Sequence, residues 1–239
     1  MTFSTIRGIL FDKDGTLLDF DKSWAVVNRE VTRMAASGDA ALADRFLDLC
    51  GMDPVSGHIR ADSLFASGNT REVAECLIVN GAAFALDDLV ERIDVAFAAA
   101  ADHSVAITDL AALFEALKAR GLSVGIASSD NERSIRRMME RFSLVPYVDF
   151  VAGYDSGYGV KPTAGMVLGF CAECGLQPEE VAVVGDNRHD LHMGVNAKAG
   201  LKIGVLSGTG SRESLSEDSD MILPDISHLP ALIGVKSPA

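Results

Sequence analysis

The first apolar run of the chain, Ile9-Leu10-Phe11, has no polar alternation and stops abruptly at Asp12-Lys13-Asp14-Gly15-Thr16. A continuous apolar run of this kind suits a strand buried on both faces, as in a parallel sheet. Over residues 19–103 the period changes. Apolar positions recur at helical spacing in 22–34, 40–49, 71–79 and 87–101, which predicts four helices and no strand. Ser37-Gly38-Asp39, Gly51-Met52-Asp53-Pro54, the polar stretch 56–62 and Ser67-Gly68-Asn69-Thr70 separate them.

Beyond residue 103 short apolar runs alternate with amphipathic segments. Asp109 caps a helix that runs to Arg120 and stops at Gly121. Strands are predicted at Ser123–Ala127, 148–152, 181–184, Leu201–Val205 and Met221–Leu223. Helices are predicted at 131–141, 163–174 and 190–198, with a polar loop at 207–219. Repeating β–α units imply an α/β fold with a doubly wound, Rossmann-like parallel sheet. Residues 1–18 and 104–239 are then the catalytic core. Residues 19–103 form a smaller all-helical cap inserted after the first strand, long enough to be a small domain. In such sheets ligands sit beyond the carboxyl ends of the strands. Asp12 and Asp14, Ser128 and Ser129, and Asp186 all fall at predicted strand ends, and the cap would hang over them as a lid.

The chain has 239 residues, 48% of them hydrophobic, and a formal net charge of −13. That charge argues against nucleic acid or an anionic membrane as a partner, because both need a basic face. No apolar run approaches a membrane span, and the first residues lack the apolar core of a signal peptide, so a cytoplasmic protein is expected. Cys50 and Cys76 sit in apolar helical patterns. Cys171 and Cys174 form a single C-x-x-C within a predicted helix, so packing is the expected role of all four.

Asp12 and Asp14 carry the chemistry. Two carboxylates at a strand end are costly to bury unless they have work to do. In an extended chain they lean to one side while Lys13 points away, and Gly15 allows a sharp turn after them. A calcium loop does not fit: no Glu closes it and its glycine is misplaced.

With three later segments, this stretch resembles the haloacid dehalogenase superfamily. Asp12-Lys13-Asp14-Gly15-Thr16 looks like its first motif and Ser128 its second. Lys161 in Gly159-Val160-Lys161-Pro162 looks like its third, and 185–190 (G-D-N-R-H-D) its fourth. The order and placement span the chain, and the phosphoglycolate phosphatase-like members are the most similar. The run Ser156-Gly157-Tyr158-Gly159-Val160 departs from the usual third motif, which leaves the exact substrate open.

The resemblance implies a phosphatase acting on a small phosphorylated metabolite, with Mg²⁺ as cofactor. Asp12 would be the nucleophile, and Asp14 the acid that protonates the leaving oxygen and the base that later activates water. Asp12, the Asp14 backbone carbonyl and Asp186 would hold the metal. The Ser128 hydroxyl, the Ser129 N–H and Lys161 would hold the phosphate, Lys161 neutralising its charge. Asp190 would orient Lys161 or a metal-bound water. From the cap, Arg60 is the first candidate to read the substrate, since a guanidinium suits a carboxylate. The chain is expected to be a monomer or dimer.

Plainer readings stand beside these. Ser128 and Ser129 could only cap a helix, Asp190 could only serve a helix dipole, and Lys161 could be an exposed loop residue. Trp24 could wall the entrance or pack within the cap. The arginines 133, 136, 137 and 141 read as a solvated helix face. Two other functions remain open on the sequence: a phosphomutase of the β-phosphoglucomutase type, and a non-catalytic phospho-acceptor module.

Overall fold

The structure is a computed structural model that describes residues 5–232. The first strand is β1 (Gly8–Phe11). The helical insert follows as α1 (Phe20–Ala35), α2 (Ala40–Cys50), α3 (Leu64–Ser67), α4 (Thr70–Val79) and α5 (Leu86–Ala100). The chain then runs α6 (Leu110–Ala119), β2 (Ser123–Ala127), α7 (Glu132–Arg141), β3 (Phe150–Ala152), α8 (Gly165–Cys174), β4 (Val181–Gly185) and α9 (Arg188–Ala197). It ends with β5 (Leu201–Val205), α10 (Arg212–Ser216), β6 (Met221–Leu223) and α11 (Leu229–Leu232).

The six strands form one parallel sheet in the order β3-β2-β1-β4-β5-β6. The chain winds outward from β1 to β3, then returns to the other side of β1 to lay down β4. The switch point therefore falls between β1 and β4, where a doubly wound sheet opens a crevice. Phe11 is in register with Ile126 of β2 and Val184 of β4, so three strands end at nearly the same height.

Alternation splits the buried strand residues between two layers. Ile9 and Phe11 face α6 and α7, with Phe11 stacked on Phe114 at 5.3 Å between centroids. Leu10 faces the opposite layer, with Val167 and Phe170 of α8 and Met193 of α9. The insert builds its own core, in which Phe46, Leu77, Leu89 and Ile93 of α2, α4 and α5 are fully buried. Local signals set its helix ends. Asn69 and Glu72 form a reciprocal capping box on α4, and Gly51 ends α2 at φ 102°.

Two short helices arise where the polar pattern predicts only loop. In α3 only Phe65 is buried, and in α10 only Leu215. One apolar contact in four or five residues leaves no period to read. All four cysteines are free; Cys171 is buried against the sheet and Cys174 is half-buried beside it. The arginines of α7 are not all merely solvated. Arg133 pairs with Glu91 of α5, Arg137 with Asp102, and Arg141 donates to the Ser104 carbonyl. These solvent-screened contacts add little stability, but they tie the core to the insert and to its return segment. Among the described residues no helix is long and apolar enough to cross a membrane.

Candidate active site

The carboxyl ends of β1, β2 and β4 place Asp12, Ser128 and Asp186 side by side. Backbone pairing carries one residue past two of those ends: Asp12 N–H donates to Val184 O at 2.8 Å, and Ser128 N–H to Ala152 O at 2.9 Å. The loop between β3 and α8 delivers Lys161, and the first turn of α9 delivers Asp190.

Lys161 is buried, so the exposed-loop reading fails. Its Nζ lies 2.5 Å from Asp12 Oδ1 and 2.6 Å from Asp190 Oδ1. Burial by itself would push the ammonium down, but the two carboxylates hold it above its ordinary value. Asp190 does serve its helix as well, since Oδ2 accepts the Asn187 N–H at 3.0 Å. The helix-capping and lysine-orienting readings of Asp190 therefore hold together.

A second charged cluster adjoins the first. Lys13 does not point away from the aspartates. It is buried, with Nζ 2.6 Å from Asp14 Oδ2 and 3.0 Å from Asp130 Oδ2. Strand geometry ends at Phe11, so the alternation rule no longer governs residues 12–14. Trp24 of α1 both packs and walls the site. Its ring meets Phe97 edge-on at 4.7 Å, and its Nε1–H donates to Asp14 Oδ1 at 2.8 Å. Burial pushes Asp14 up to about 6, with Lys13 opposing the shift.

Asp186 fills the space left by two glycines. A Cβ on Gly15, which sits at φ +84°, would come within 2.5 Å of Asp186 Oδ2, and one on Gly208 within 2.0 Å. The Thr209 N–H donates to Oδ2 at 2.8 Å and Thr16 Oγ1 to Oδ1 at 3.4 Å. Burial raises Asp186 well above the carboxylate range, and Asp12 and Asp190 add to the shift. Carboxylate oxygens of Asp12, Asp186 and Asp190 lie within 4.8 Å of one another. An all-oxygen set with repelling charges fits a hard divalent cation. The Lys161 ammonium and the Asn187 N–H hold the two Asp190 oxygens, whereas Thr209 and Thr16 offer Asp186 only neutral donors, so Asp12 and Asp186 are the better carboxylate ligands. Lys13 O closes the turn by accepting from Leu17 and Leu18, which does not engage the Asp14 carbonyl.

Ser128 is buried, and its Oγ accepts the Asp130 N–H at 3.1 Å. It does not cap α7; Asn131 does, through the Ser134 N–H. Ser129 lines the same cavity, with Oγ donating to Ser67 O of the insert at 3.2 Å. Arg60 does not join these residues. Its half-exposed guanidinium pairs with Asp48 at 3.0 Å and reaches the Asp48 carbonyl near the end of α2. The Met52–Ile59 bridge folds the intervening loop back over that helix end, where carbonyls attract cations.

Sequence reasoning passed over Lys13, Asp130, Thr209 and Asn28. The closely spaced Gly208 and Gly210 were a usable signal for Thr209, since both approach Asp186. For Asn28 the signal is its place on the apolar stripe of α1, between Trp24 and Val31. The cap covers the site and leaves a cavity of about 60 Å³. Asp94 of α5 latches it, accepting from Asn131 Nδ2 and Tyr154 OH at 3.0 Å each.

Residues 6–198 match the family of haloacid dehalogenase-like hydrolases. A phosphoglycolate phosphatase of Neisseria meningitidis is 27% identical over 235 aligned residues, covering 95% of this chain and 92% of the relative. A solved structure from Haemophilus somnus, described as a predicted phosphoglycolate phosphatase, superposes with a TM-score of 0.72. It is 17% identical and covers 96% of this chain and 98% of its own. CbbY from Rhodobacter sphaeroides, solved in complex with phosphate, also reaches 0.72, at 18% identity over 96% of this chain and 100% of that one.

Proposed function

The chain belongs to the haloacid dehalogenase-like hydrolases, and from that premise we propose that it is a Mg²⁺-dependent phosphatase. The substrate is a small-molecule phosphate monoester, cleaved through an aspartyl-phosphate on Asp12. One observation carries the reading. Asp12 and Asp14 from one segment meet Lys161 and Asp186 from two others, the three aspartates lining one cavity beneath the cap and the buried Lys161 pairing with Asp12.

Asp12 attacks phosphorus in line, and the bond to the leaving oxygen breaks. Asp14, held near the leaving side by Lys13 and Trp24, gives that oxygen its proton. As the alcohol departs, Asp14 is left as a carboxylate that takes a proton from water attacking the aspartyl-phosphate, whose bond to the Asp12 oxygen breaks to release inorganic phosphate and restore the carboxylate. Lys161 lies against Asp12 and neutralises charge on the phosphoryl oxygens, with the Ser128 hydroxyl and the Ser129 N–H as donors. Asp12 and Asp186, with the Asp14 carbonyl, would hold Mg²⁺. Bound there, the ion offsets the repulsion between a carboxylate and a phosphate dianion. The cap keeps bulk water away from the intermediate.

The test is inorganic phosphate release from a panel of small esters, including phosphoglycolate and an aryl phosphate, with Mg²⁺ and with a chelator. Multiple turnover with Mg²⁺ and none with chelator is expected. No multiple turnover on any ester would overturn the proposal. Trp24→Phe keeps the ring against Phe97 but removes the N–H on Asp14. It should lower kcat/KM for alkyl esters about tenfold, the worth of one hydrogen bond to a charged group. Aryl phosphates, which leave without full protonation, should lose less, and steady-state kinetics on both would show it.

A further inference from the structure

Asn28 lies on the inner face of α1, one helical turn beyond Trp24, and lines the cavity. Its side chain is fully buried, at 0% exposure. Neither Oδ1 nor Nδ2 has a hydrogen-bond partner among the described residues. Leucine would bury there without loss, whereas burying an amide with nothing to bond is costly. A buried polar group that faces a ligand cavity and finds no partner in the protein is one that a ligand can satisfy.

The chemistry of that ligand follows from the amide. Asn offers a donor and an acceptor from one planar group. A carboxylate can only accept, so it would leave Oδ1 unpaired against negative charge. A hydroxyl both donates and accepts, and it satisfies the amide without adding charge. The surrounding wall agrees. Phe20, Trp24, Phe65, Val73 and Phe97 make the cap's side of the cavity largely apolar. No Arg, Lys or His of the cap lines it among the described residues. The core side already holds Asp12, Asp14, Asp130, Asp186 and Asp190. A second anionic group on the substrate would meet no cation from the cap.

We propose that Asn28 is a substrate-binding residue that hydrogen-bonds a hydroxyl on the leaving alcohol, so the enzyme selects phosphate monoesters of small polyols over carboxylate-bearing esters. This rests on the phosphatase reading above and narrows its substrate. The helix sets the scale. Trp24 touches Asp14, where the leaving oxygen sits, and Asn28 is four residues on, a rise of about 6 Å. That distance suits a hydroxyl two or three carbons from the ester oxygen.

Three esters of matched length test it: n-propyl phosphate, 2-hydroxyethyl phosphate and phosphoglycolate, which end in methyl, hydroxyl and carboxylate. An aryl phosphate reports on the phosphoryl chemistry. The native enzyme should favour 2-hydroxyethyl phosphate over both others by at least about tenfold in kcat/KM, because a site built for a hydroxyl rejects analogues that lack it. In Asn28→Leu the ratio of hydroxyethyl to propyl should fall to near one or invert. The same substitution should raise the Tm of the free protein, since two unpaired buried groups are lost. Asn28→Ala, which adds no bulk, provides the same ratio should leucine not fit.

A native preference for phosphoglycolate would overturn the hydroxyl assignment, as would an unchanged ratio in both variants. A marked fall in Tm for Asn28→Leu together with an unchanged hydroxyethyl-to-propyl ratio in Asn28→Ala would show that the amide serves the protein's own packing, and would overturn the proposal as well. Absence of turnover on all four esters would instead overturn the phosphatase reading itself.

Discussion

Asp12→Asn is expected to lower turnover on every ester by about four orders of magnitude or more, the scale seen when a catalytic nucleophile is lost. The amide is nearly the same size but has no oxyanion to attack phosphorus. The loss should therefore fall on kcat for alkyl and aryl esters alike, because both are displaced by the same nucleophile. Transfer of radiolabelled phosphate to the protein during turnover should vanish with it. The fold should not suffer. Asp12, Asp186 and Asp190 crowd one small volume, and the Lys161 ammonium pairs directly with Asp12 and Asp190. Burial raises Asp186, and Asp12 is the next cause. Removing one negative charge relieves that repulsion while Lys161 keeps Asp190. In chelator the variant should melt no lower than the native protein, while added Mg²⁺ should stabilise it less. Residual activity near native levels would exclude Asp12 as the nucleophile.

Lys161→Met should be damaging in both respects. Losing the charge against the phosphoryl group should cost about 10²- to 10³-fold in kcat. Stability should fall by about 3–5 kcal/mol in chelator, because two buried carboxylates lose their common counter-ion. The pH dependence gives this loss a signature. Burial raises Asp12 from its ordinary 3.8 to about 6, with Lys161 opposing. Without Lys161 the folded-state value rises further. A group raised on folding contributes stability below its unfolded value and loses it as pH rises through the folded one. Below about 6 Asp12 is protonated in both proteins. Above that the native protein ionises Asp12 against Lys161, while the variant must bury the charge alone. The deficit should thus widen as pH rises beyond about 6, which urea unfolding at pH 5 and pH 8 would measure. A deficit independent of pH would show that Lys161 acts by packing rather than by charge.

Much of this protein could be read without coordinates, and the reason is local. Ile9-Leu10-Phe11 ahead of Asp12 marks a buried strand with a carboxylate end because strand period and strand length are short-range properties. The same holds for Ser123–Ala127 and Leu201–Val205, whose predicted limits match the structure. Order along the chain then restricts a parallel sheet to few arrangements, so Asp12 and Asp186 could be placed on one edge before any distance was known.

What failed was every inference that carried a local rule past the end of its element. Lys13 was turned outward by strand alternation, but the strand had already stopped. Arg60 was assigned to the substrate from its charge alone, yet the Met52–Ile59 bridge sends it to the end of α2. Trp24 was left between two roles, and the structure gives it both. Asn28 shows the limit most plainly. Within α1 it falls on the apolar stripe between Trp24 and Val31, but that spacing does not say what its amide meets. Only the packing of α1 against its neighbours buries it at the cavity wall and leaves the amide without a partner among the described residues. The sequence by itself determined the elements, their order and the carboxylates at the strand ends. Tertiary structure decided which charges pair and which polar groups are left for a ligand, because both depend on contacts between segments far apart in the chain.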